Sequence, residues 1–185
     1  MTDLDILRQM IKDSARVEMA VHRDRKMVEL TEPQHPDSSA RLFGIPEDAV
    51  VIKVDAFKSP DTIFKGSQGE CKRADFIIVA EVEETQVVVY IEMKTTKERE
   101  HEIAHQLAGA QCFLAYCREI GNTFWRQPAF LADRVERFVS IGHTNINKTK
   151  TRITRQPATH DRPERMLKIA SPHHLEFRHL AGVNR

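Results

Sequence analysis

No apolar run in this chain reaches the roughly 18 residues that a helix needs to cross a bilayer, and its N-terminus lacks a signal-peptide pattern. Those absences set the expectation of a cytoplasmic protein with no membrane partner. Cysteine is scarce: Cys71, Cys112 and Cys117 form neither a C-x-x-C pair nor a framework, so they read as reduced thiols rather than staples. No internal repeat or low-complexity tract is visible. Nor is there a large net charge of one sign, since 28 Lys and Arg face 27 Asp and Glu. What remains is ordinary globular composition, 41% hydrophobic and 30% charged over 185 residues, enough to bury one full core without covalent help.

The near-zero balance hides an uneven distribution. From His143 onward nine Lys and Arg meet three acids, about +6, which leaves residues 1–142 at −5. The stretch NKTKTRITR interleaves small polar residues with Lys148, Lys150, Arg152 and Arg155. Such a loop or edge strand is suited to tracking a phosphate backbone, and the four cations are candidate nucleic-acid contacts. A solvated charged extension has the same composition.

The run Cys71 to Lys94, CKRADFIIVAEVEETQVVVYIEMK, reads as two apolar strands around a polar turn. Asp75 opens the first strand, and Glu92-Met93-Lys94 closes the second. Charges at such positions are costly unless a metal or substrate compensates them. A turn at Glu84-Thr85, or over Glu83 to Gln86, pairs positions whose numbers sum to 169 and sets Asp75 opposite Lys94. Asp75, Glu92 and Lys94 then share one face, with Phe76, Ile78, Val89, Ile91 and Met93 on the other. A three-residue loop would send Asp75 to the wrong face. Two converging carboxylates suit Mg²⁺ or Mn²⁺, and a neighbouring lysine suits water activation or phosphate charge.

An Asp, a strand hairpin and then Glu-x-Lys resembles the signature of the PD-(D/E)XK nuclease superfamily, the restriction-endonuclease-like fold. Other elements follow the same order: an amphipathic helix over 3–28, a Pro- and Ser-containing connection over 31–48, and a strand at 49–57. The hairpin, a helix over 98–120 and a strand near 137–143 complete it. The resemblance implies an α/β fold with an αβββαβ core over 1–143, its mixed central sheet flanked by helices. The basic extension 144–185 would pack on that domain or continue it. Asp75, Glu92 and the Met93 carbonyl would bind Mg²⁺ or Mn²⁺, with Lys94 positioning or activating water. Relatives often add a Gln from the helix after the Glu-x-Lys strand; Gln106 is preferred to Gln111 because it lies nearer Lys94. Some draw an acid from the first helix, and Glu18 shares the face of Leu4, Leu7 and Ile11. The expected activity is hydrolysis of phosphodiesters in DNA, or in RNA. A homodimer or a partner protein would supply specificity, because the chain has little room for a recognition domain.

A second motif competes. His101-Glu102-Ile103-Ala104-His105 is a literal HExxH, the pattern of zinc metallopeptidases. Its helical phase puts His101 and His105 opposite the apolar stripe of Ile103, Leu107, Ala110, Leu114 and Cys117, predicting an exposed pair. The continuation QLAGAQ does not supply a third ligand at the usual spacing. A non-catalytic binding module on the nuclease fold is the other alternative.

Overall fold

In the computed structural model, which describes residues 1–32, 35–142, 152–154, 159–170 and 174–182, the chain is built around one hairpin. Strand β5 (Phe76–Val82) pairs antiparallel with β6 (Thr85–Lys94) through a two-residue turn. Glu83 and Glu84 both take left-handed φ values, 49° and 66°, as a type I′ hairpin turn requires. Val82 therefore pairs with Thr85 and Phe76 with Ile91. Paired numbers sum to 167, not the expected 169, so Asp75 comes opposite Glu92 rather than Lys94. A shift of two preserves strand parity, and the side-chain faces are those expected.

Around this hairpin the elements run in the order helix α1 (Asp3–Met10), β1 (Ala20–His22), β2 (Arg25–Glu32), β3 (His35–Phe43) and β4 (Val50–Lys53) before it. After it come α2 (Glu100–Phe124), β7 (Arg134–Gly142), β8 (Arg152–Thr154), β9 (Leu167–Ala170), β10 (Leu175–Glu176) and α3 (Phe177–Ala181). A six-stranded mixed sheet has the order β4-β5-β6-β7-β9-β8, and a four-stranded mixed sheet the order β1-β2-β3-β10. The fold is thus α/β. Strands β6 and β7 are parallel, and α2 supplies the crossover that a parallel pair needs. Strands β8 and β9 extend the same sheet, so the described part of 144–185 continues the domain.

Each face of the large sheet buries a separate apolar layer. On one side Ile77, Val79, Val88, Tyr90 and Phe138 meet α1 through Leu4 and Leu7, and α2 through Ile103, Leu107, Ala110 and Leu114. On the other, Phe76, Ile78, Val89, Ile91 and Met93 meet the small sheet through Val28, Leu30, Ala40 and Leu42, and α3 through Phe177 and Leu180. Helix α2 needs two glycines on its packed sides. A Cβ at Gly109 would collide with the Lys72 carbonyl, and one at Gly121 with the Phe130 ring. No helix among the described residues is long and apolar enough to cross a membrane.

The expected first helix is the main departure. It stops at Met10, held at its start by a reciprocal Thr2–Asp5 capping box, and β1, β2 and β3 follow instead. Alternation decided the outcome: Val28 and Leu30 pair with Leu42 and Ala40, burying one face of β2 and β3. The turn between β1 and β2 is again two-residue, with Arg23 and Asp24 at φ 48° and 60°. Proline misled over 31–48, which was expected to be a connection but contains β3.

Replacing Glu83-Glu84 with Asn-Gly is expected to stabilise the fold by about 0.5–1 kcal/mol, because those residues reach left-handed φ with least strain. A thermal melt should show a rise of roughly 1–4 °C. A fall would contradict the turn assignment.

Candidate active site

The candidate site lies at the C-terminal end of β6. Strand β5 begins one residue after Asp75, so Met93 on β6 lacks a backbone partner there, and its N–H donates to Asp75 Oδ2 at 2.7 Å. The Asp75 carbonyl accepts from Val54 N at 2.8 Å, which ties the residue to the end of β4 as well. Since N–H and C=O of a strand residue leave the same edge, the Met93 carbonyl projects on the side of Asp75. Asp75, Glu92, Met93, Lys94 and Gln106 all line one cleft of about 430 Å³.

Glu92 is the centre of that cleft. Its side chain is 2% exposed, and Oε1 lies 2.7 Å from Lys94 Nζ. Its other oxygen, Oε2, is buried without a hydrogen-bond partner. Burial, reinforced by the neighbouring Asp75 carboxylate, outweighs the pull of Lys94 and raises the Glu92 pKa to about 8. Burial likewise raises Asp75 to about 6 against the opposing Met93 hydrogen bond. For Lys94, burial works against the charge, but Glu92 and Glu98 prevail and hold its pKa above the usual lysine value. Its Nζ sits 2.6 Å from Glu98 Oε2. Lys94 is therefore an ammonium between two glutamates, not a neutral base.

Another glutamate on the same sheet face shows what a structural carboxylate looks like. Glu136 accepts from Tyr90 Oη at 2.8 Å, Gln111 Nε2 at 2.5 Å and Arg134 Nε at 3.0 Å. Every such bond offsets desolvation. Glu92 has one cation and one orphaned oxygen.

Three further buried polar atoms in this cleft lack partners: Gln106 Oε1, Glu32 Oε2 and Arg73 Nε. Gln106 on α2 thus reaches the site. Gln111 is committed to Glu136. Glu18 does not reach it; it is exposed on the segment after α1 and lines a different cleft with Arg8 and Arg16. The end of the first helix at Met10 removed the face on which Glu18 was expected. Glu32, at the end of β2, and Asp55, after β4, bring acid charge to the cleft instead, and both push the Asp75 pKa up. Neither was legible, because Glu32 arrives by packing of the small sheet. Arg73 and Glu98 had a faint signal: they lie two residues before Asp75 and four after Lys94.

Of the expected nucleic-acid contacts, Lys148, Lys150 and Arg155 lie outside the described residues. Arg152 opens β8, the edge strand of the large sheet. In the HExxH motif His101 and His105 are both exposed, with ring centroids 6.0 Å apart. Glu102 is ion-paired with Lys72 and lies 3.0 Å from His101 Nε2. Among the described residues no three His, Cys, Asp or Glu side chains are grouped to hold a metal by themselves. No family model, curated protein or solved structure matches the chain.

The electrostatics carry a sign that can be measured. With its pKa at about 8 against 4.5 for an ordinary glutamate, folded Glu92 keeps a proton that the unfolded chain has released between those pH values. Stability should therefore fall as pH rises through that window. Glu92→Gln should be near neutral at pH 5 and stabilising at pH 8, by about 1–3 kcal/mol, roughly 2–12 °C in Tm. Destabilisation at both pH values would contradict the strained carboxylate.

Proposed function

We propose that this cleft is the active site of a metal-dependent nuclease of the PD-(D/E)XK type, hydrolysing phosphodiester bonds in nucleic acid, with DNA as the expected substrate. One observation carries the reading: Asp75, Glu92 and Lys94 line a single cleft in which a fully buried Glu92 oxygen has no partner. The order α1, β4, β5, β6, α2, β7 agrees with the αβββαβ core that the motif implies. The small sheet between α1 and β4 is an addition to it.

The residues fit a hard divalent cation. Asp75, the free Glu92 oxygen and the Met93 carbonyl are oxygen donors, and Mg²⁺ or Mn²⁺ needs few protein ligands when water and phosphate complete the shell. Such an ion, when bound, would polarise the phosphoryl group and lower the pKa of water. The chain's own groups have separate tasks. Lys94, fixed as an ammonium by Glu92 and Glu98, orients the attacking water and offsets negative charge growing on phosphorus. Gln106 offers an unpaired carbonyl oxygen to accept a proton of that water in a hydrogen bond. Arg73, whose Nε is unpartnered, faces the same space with donors for a phosphate oxygen. Water then attacks in line, losing one proton to bulk solvent as its oxygen bonds to phosphorus; the ester P–O bond breaks, and the departing oxygen takes up a proton from solvent.

Purified protein should cleave plasmid or linear nucleic acid with Mg²⁺ or Mn²⁺ and not with EDTA. Asp75→Ala, Glu92→Ala and Lys94→Ala should each lower the rate by about 10²-fold or more, while Glu102→Gln should retain it. Cleavage that survives Glu92→Ala, or that is lost with Glu102→Gln alongside bound zinc, overturns the reading.

Loading should also be coupled to protons, because a cation displaces those held by Asp75 and Glu92. Calorimetric Mn²⁺ affinity should rise by up to about tenfold per pH unit from pH 6 to 8 and then level off, with proton release near pH 7. A pH-independent affinity would count against these two carboxylates as ligands.

A further inference from the structure

The connection from β4 to β5 is closed on itself. Ser59 Oγ donates to the Cys71 carbonyl at 3.1 Å, and Cys71 Sγ lies 3.6 Å from the Phe64 carbonyl. The exposed Glu70 carboxylate accepts from Gly66 N at 2.9 Å and Gln68 N at 2.8 Å. Its lower end packs on α2 where Gly109 admits the Lys72 backbone. The loop is therefore prebuilt rather than waiting to be ordered.

Its outer surface is apolar where solvent should have selected polar groups. Ile63 is 80% exposed, Phe64 53% and Tyr116, on α2, 56%. The Phe57 ring lies 5.1 Å from Phe113 and 6.3 Å from Tyr116, centroid to centroid, which joins Phe57 to the helix; Ile63 and Phe64 are exposed further along the same loop. Lys58 and Lys65 flank these residues and are exposed, with the exposed Asp61 between them, while Glu70 is occupied with backbone. The surface borders the cleft, since Ser59 and Cys71 belong to its lining.

We propose that this surface is a stacking platform for unpaired bases, and that the cleft beside it acts on single-stranded or locally unpaired nucleic acid. The cleavage part of this statement rests on the nuclease reading; the binding part does not. The exposed ring faces select the occupant. Aromatic faces next to lysines match a strand whose bases show their π-faces and whose phosphates are anionic, whereas a duplex hides those faces in its stack. Loop rigidity reduces the ordering cost of binding.

The test is fluorescence anisotropy in EDTA, so that no cleavage intervenes, with a labelled single strand, an abasic strand of equal length and the corresponding duplex. Wild type should prefer the base-bearing strand to both others. Phe64→Ala and Tyr116→Ala should each weaken single-strand binding roughly 5- to 100-fold and leave duplex binding unchanged; Phe64→Tyr should retain it. Equal binding of abasic and normal strands, or equal losses for single strand and duplex, overturns the proposal. So does a dimer in light scattering that Phe64→Asp dissolves, because the patch would then be covered by a second copy. Metal-dependent cleavage that needs Glu92 but shows no base-dependent binding leaves the nuclease and removes the platform. Base-dependent binding without any cleavage does the reverse.

Discussion

The two-residue turn at Glu83-Glu84 sets β5 against β6 with Asp75 across from Glu92, and the rest of the cleft follows from that register. A slip of one residue would put Asp75 on the far-core face beside Ile91 and Met93 and leave Glu92 without its acidic neighbour. The same register frees the Met93 N–H, which Asp75 then takes. One short turn thus decides which edge of the sheet carries charge. It does so with two residues that pay in backbone strain for left-handed φ.

Burying those acids is unfavourable by itself, and the molecule tolerates it because the sheet around them is secured elsewhere. Both faces of β5 and β6 are covered, one by α1 and α2 and the other by the small sheet and α3. Glu136, three donors satisfied, holds the same sheet face without strain. Two glutamates in one layer therefore differ in what their oxygens still need: the one with a complete set of hydrogen bonds packs, and the one without has an oxygen left unpartnered.

The small sheet changes more than the outline. It takes up residues that were expected to be helix and delivers Glu32 to the cleft, while Glu18, the acid anticipated from the first helix, lies exposed elsewhere. The general expectation of a third acid near Asp75 and Glu92 found a different residue from a different element. Arg73 and the loop before it came to the cleft in a similar way, through Gly109 on α2, which lets the chain approach the helix closely.

Local pattern alone determined the hairpin, its faces, α2 with its buried stripe, the exposure of His101 and His105, and the convergence of Asp75, Glu92 and Lys94. All of these depend on periodicity over a few residues, which strand and helix geometry converts directly into direction. Tertiary packing decided the rest. It ended the first helix at Met10 because Val28, Leu30, Ala40 and Leu42 gain more as a sheet face against the core than as helix surface. It also chose Gln106 over Gln111, since Glu136 claimed the latter. Contacts between residues far apart in the chain have no local period, so only the packed structure could select Glu32 and Asp55 and orphan the Glu92 oxygen.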